Sequence, residues 1–125
     1  IARTIFAPVM NAYRVTVEQM AILEPALSET VVATCMVVIR EAIDEAVRHG
    51  VPKDAAFDFI LGHMNVNLGI LFGYVGSPFS DGALKAIERG KQKLFHPDWR
   101  SVFEPANVLA EIKAITQATS KAKQV

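Results

Sequence analysis

The chain has 125 residues, 51% of them hydrophobic, and its 13 Lys and Arg balance 13 Asp and Glu. That apolar content excludes intrinsic disorder, and a net charge of zero leaves no global field to draw nucleic acid or an anionic membrane, so neither partner is expected. The single Cys35 excludes an internal disulfide and a multi-thiolate metal site, no metal is expected, and its neighbours Ala33, Met36, Val37 and Val38 make it read as a packed thiol.

In chain order, Ile1–Phe6 reads as the end of a helix begun earlier, and Pro8 closes it. The start at Ile1 without Met, that helix end, and the lack of a recognisable signal peptide or membrane-length apolar run make a piece of a larger soluble protein the expectation. Tyr13–Val17 alternates with strong β-propensity and is expected to be one short strand, whose pairing partners must lie elsewhere. From Glu18 the period turns helical. A short piece to Leu23 is expected to restart at Glu24-Pro25, with Ser28 as a second candidate cap. That long helix runs to His49 and stops at Gly50 and Pro52. Its apolar stretch Val31–Ile39 falls far short of the roughly 18 residues of a membrane span. Its second half pairs Arg40 with Asp44 and Asp44 with Arg48 at i,i+4.

Pro52 opens a further helix with Phe57, Ile60, Leu61, Met64, Leu68 and Leu71 on one face. A loop over 73–79 follows, then a helix capped by Ser80 or Asp81 that runs to about Lys93. Phe95–Arg100 is irregular, Pro105 starts the last helix, and 120–125 is a polar tail expected to fray. The fold class is mostly all-α: a helical bundle with a short strand at its N-terminus.

The stretch Gly62–Gly73 is apolar enough to be buried, yet it carries His63, Asn65 and Asn67. His63 and Asn67 are i,i+4 and project from one helix face. An imidazole can exchange a proton near neutral pH, and a carboxamide can orient a hydroxyl or carbonyl. The alternative is structural: His63 caps a buried carbonyl and both asparagines bridge helices. Glu24, Ser28 and Glu29 gather at an expected helix start, where free N–H groups favour a polar ligand, although ordinary capping explains them too. Lys85 stacks on Arg89 at i,i+4 and could hold a carboxylate or phosphate; a solvated helix face is the simpler reading. No nucleophile elbow, P-loop or dinucleotide fingerprint is present.

The order of these elements, with the segments Thr16–Thr30, Gly62-His63-Met64-Asn65 and Phe79–Ile87, resembles the junction and C-terminal helical domain of the 6-phosphogluconate dehydrogenase/β-hydroxyacid dehydrogenase superfamily. The likeness is nearest to the bacterial family of phosphogluconate dehydrogenase (decarboxylating) C-terminal domains, which some sugar-acid oxidoisomerases also resemble. The resemblance implies that 1–17 closes an N-terminal Rossmann-type domain, which would bind NAD or NADP. It makes 18–119 a helical substrate-binding and dimerisation domain and 120–125 the tail. It implies a cytoplasmic homodimeric oxidoreductase acting on a hydroxy acid or sugar acid.

One departure matters. β-Hydroxyacid dehydrogenases place a catalytic Lys and an Asn one turn apart on the long helix, but Ser28–Thr34 contains no Lys. His63 and Asn67 are the pair of comparable chemistry and are the expected catalytic residues. Glu24, Ser28, Glu29 and Lys85 are the expected substrate contacts. The rival expectation is a non-catalytic helical dimerisation module whose polar residues are satisfied internally.

Overall fold

The computed structural model describes residues 11–122, with side chains through 118. The helix end read over 1–8 and residues 123–125 of the tail lie outside the described residues. Among the described residues there is no strand: 11–16 have no regular structure and Val17 is already helical. The expected strand at Tyr13–Val17 is therefore corrected. Thr16 supplies the reason. Its hydroxyl accepts from the Gln19 N–H at 3.2 Å, and the Gln19 side chain accepts from the Thr16 N–H at 2.9 Å. This reciprocal capping box starts a helix where a lone strand would have no ladder to join.

The first helix, α1, spans Val17–Ala21 and leads without a break into a π-helical segment, Ile22–Ala33. There Thr30 Oγ1 donates to the Pro25 carbonyl at 2.7 Å. Pro25 lies buried inside this segment and does not open a new helix. The wider π-turn gives the proline ring room that an α-turn would deny it. Ser28 is likewise mid-helix and exposed, so it caps nothing.

Helix α2 continues over Thr34–Arg48. The helical run Val17–Arg48 is long and apolar enough, by length and composition, to cross a membrane. Counting only uninterrupted apolar residues had understated it. Core helices of soluble proteins, mostly buried, meet the same criterion, whereas only 11% of the apolar window in this run is buried.

The chain divides into two compact units, joined at 32/33 and 101/102. The first unit holds α1, most of the π segment and α5, Pro105–Ala122. Among its described residues Pro25, Ala26 and Val108 are buried, and Pro105 sits at the first helical position as expected. The helix backbone continues to Ala122, into the stretch read as a frayed tail.

The second unit is built on a helical hairpin. Helix α2 turns through Gly50, whose φ of 97° only glycine adopts without strain, into α3, Lys53–Leu71. The two helices pack on each other, with Ile43 of α2 and Ala56 of α3 buried and Arg40 stacked over the Phe57 ring at 4.9 Å. Arg40 pairs with Asp44 at 3.1 Å as expected, but Arg48 turns to Glu45, which His49 also reaches at 3.1 Å. At the end of α3 the chain folds back on Gly69, whose carbonyl accepts from Tyr74 N–H at 2.8 Å and Val75 N–H at 3.3 Å. Helix α4, Asp81–Leu94, is capped by Ser80, whose hydroxyl accepts from Ala83 N–H at 3.2 Å. A 3₁₀ turn, Trp99–Phe103, follows.

Candidate functional site

A groove of about 690 Å³ runs between α2 and α3 of the second unit. This is within the usual range for small-molecule sites. Its walls are apolar, among them Ile39 and Ile43 of α2 and Phe59, Ile60 and Met64 of α3, and the two polar side chains in its lining are His63 and Asn67. The i,i+4 spacing brings them to one place, as expected.

Local structure fixes the imidazole. Its Nδ1 lies 2.9 Å from the Phe59 carbonyl one turn back, and its ring leans on the Phe59 ring with centroids 4.2 Å apart. A carbonyl can only accept, so Nδ1 carries the proton and donates it. In the neutral ring that leaves a lone pair on Nε2. Phe59, which sequence reasoning did not single out, is thus the positioning residue; the spacing Phe59–His63 was its available signal.

The central helix is more open than expected. His63, Asn65 and Asn67 are all exposed, and among the described residues no polar or charged side chain is buried. His63 does meet a carbonyl, that of Phe59, but in an exposed contact and not a buried one. The bridging half of the structural reading does not hold: neither Asn65 nor Asn67 makes a side-chain hydrogen bond among the described residues. Burial was inferred from the apolar neighbours, but Leu61, Val66 and Leu71 on the same helix also face solvent.

Glu24 and Glu29 come together elsewhere. They line a hollow of about 140 Å³ in the first unit with Pro25, Ile112, Ile115 and Thr116. Ser28 does not line it, and the helix start that was to make this an anion site lies at Thr16–Val17 instead. Lys85 is exposed on α4 and lines neither the groove nor the hollow. The described residues hold no cluster of three or more metal-ligating side chains.

The second unit therefore presents an apolar groove whose lining includes an imidazole held at Nδ1 by the Phe59 carbonyl. The family model described as phosphogluconate dehydrogenase (decarboxylating) C-term matches residues 1–116, and the chain belongs to that family. It is 57% identical over 116 residues to D-apionate oxidoisomerase of Rhizobium rhizogenes and 51% identical over 116 residues to that of Cupriavidus necator, in each case over 93% of this chain. A crystal structure of a semialdehyde dehydrogenase NAD-binding protein from Cupriavidus necator, in complex with calcium and NAD, superposes with a TM-score of 0.88 at 51% identity, covering 91% of this chain and 41% of that one. The chain spans 42% of the length of each of the two oxidoisomerases.

Proposed function

We propose that this chain is the substrate-binding and dimerisation part of an NAD-dependent oxidoreductase that acts on a hydroxy acid or sugar acid. The names of its relatives favour a sugar acid of the apionate type, and the NAD held by the neighbouring structure favours NAD over NADP. The observation that carries the reading is the 2.9 Å contact between His63 Nδ1 and the Phe59 carbonyl. With Nδ1 spent on Phe59, Nε2 is the atom that accepts the substrate hydroxyl proton as the carbon–oxygen bond becomes a carbonyl. Asn67, one turn on, donates to the substrate oxygen through its amide.

The described residues offer no strand and no glycine-rich turn to cradle a dinucleotide, so the cofactor is assigned to a Rossmann-type domain that 1–17 would close. There it would supply the acceptor for the hydride that leaves the substrate carbon. Glu24 and Glu29, in the hollow of the first unit, and separately Ser28 and Lys85 on exposed helix faces, are lower-ranked proposals for contacts to a polar ligand.

Dimerisation rests on a different observation. Val32, Met36, Val37 and Val38 are all exposed along one helical run. A second copy of the chain is the occupant that fits, since obligate dimer faces resemble a core cut in half. Lipid fits less well, because Glu24 and Glu29 lie within the same run and carboxylates are costly in a bilayer.

The test is His63→Ala in the full-length protein. Turnover should fall by about a hundredfold or more, the range set by loss of a general base. Melting should barely move, because the side chain is exposed. A rate within a few-fold of wild type would remove His63 from the chemistry and leave the dimerisation role alone.

A further inference from the structure

The run 85–100 carries five Lys and Arg against two acidic residues, in a chain of net charge zero. Where α4 ends and the Pro97 turn begins, two of those cations converge on a hollow of about 420 Å³: Lys91 from the last turn of α4 and Arg100 from the 3₁₀ turn. Phe95 and Trp99 supply aromatic walls, their ring centroids 6.2 Å apart, and Gln92 adds a carboxamide. No acidic side chain lines it. Asp98, the nearest acid in sequence, is held by His96 Nδ1.

We propose that this hollow binds a small organic oxyanion, a carboxylate or phosphate carried on a flat or apolar body. Three features argue for it. Arg40 and Arg48 have carboxylate partners, whereas Lys91 and Arg100 have none among the described residues. The Arg100 guanidinium lies over the Trp99 ring at 4.6 Å, which orients its planar donor edge before any ligand arrives. The hollow is also larger than a bare ion needs, and its aromatic walls suit the remainder of an organic anion.

Lysines in the last turn of a helix are commonly explained by the dipole. That explanation accounts for Lys91 and Lys93, but Arg100 comes from outside α4. The dipole end itself opposes an anion with only about half an elementary charge, against two full positive charges. The proposal does not rest on the reading of His63, because the hollow shares no residue with that groove.

Trp99 reports on the site directly, and it is the one tryptophan in this sequence. In full-length protein labelled with fluorotryptophan, the Trp99 resonance is assigned by Trp99→Phe and followed by fluorine NMR during titration with phenyl phosphate. A saturable shift is expected. Inorganic phosphate should bind more weakly, and the double variant Lys91→Gln/Arg100→Gln should lose about tenfold or more in affinity, the scale of a charge-assisted contact. Both substituted side chains are exposed, so folding, checked by circular dichroism, should persist. The proposal fails if Trp99 shows no saturable shift, if the double variant binds as tightly as wild type, or if neutral benzyl alcohol binds as well as phenyl phosphate.

Discussion

Asn67 is the residue on which the catalytic and structural readings of the groove part company. Its carboxamide has no partner among the described residues, so removing it breaks no internal bond. Asn67→Leu should therefore leave the melting temperature within a degree or so, while kcat/KM falls about tenfold, the scale of one lost hydrogen bond. Unchanged kcat/KM would return Asn67 to the surface. Two glycines of the same helix make a sharper stability test. A Cβ on Gly69 would meet Val75 Cγ1 at 2.9 Å, and a β-branched side chain has little freedom to move aside. At Gly62 an added Cβ meets nothing within 4 Å. Gly69→Ala should destabilise by about 1–3 kcal/mol through overpacking, whereas Gly62→Ala should stabilise by about 0.5–1 kcal/mol through helix propensity. Urea melts of the pair decide it, and Val75→Ala should rescue the first. The His63–Asn67 pairing could be read from spacing alone, because i,i+4 geometry is a property of the helix. Their exposure could not, because burial depends on surfaces that one helix does not contain.

Among the elements, the ones the sequence announced are those with a cap or a proline at their start. Pro52, Ser80 and Pro105 each stand where a helix begins, and the chemistry is local, so the expectation and the structure agree. The N-terminal segment failed for an instructive reason. Tyr13–Val17 has β-branched alternation, but Thr16 and Gln19 also form a capping-box pattern, and that signal outweighs propensity when no second strand is present. Pro25 was misread because proline usually marks a helix start; the π segment that accommodates it has no sequence signature beyond the proline itself. At the end of α2, Arg48 holds the Glu45 carboxyl below the usual carboxylate range, with a smaller contribution from His49. A carboxyl lowered by folding stabilises the fold at pH above its unfolded value, and that contribution disappears as acidification passes the lowered one. Both groups are exposed and screened, so the effect is small. Arg48→Gln should move the Glu45 titration, followed by NMR, upward toward the ordinary carboxylate range, with the acid limb of the stability profile shifting the same way.

At the scale of the molecule, the buried hydrophobic residues among those described are Ala26, Ile43, Ala56 and Val108, three of them small. Against them stand exposed Val37, Val38, Phe59, Leu61 and Leu71. The membership of the family and the helical class were open to a reading of the chain; how its apolar faces are covered was not, since that depends on surfaces outside these residues. Val37→Lys places a charge in the proposed dimer face, and the full-length protein should elute as a monomer where wild type elutes as a dimer. An unchanged elution position would clear Val37 of that role.

So thin an interior has a thermodynamic corollary. If its folded form is held together by a second copy, dilution must act as a denaturant, and the unfolding midpoint should climb with protein concentration as mass action requires. For a freshly synthesised chain, meeting its twin would then be the last step of folding itself.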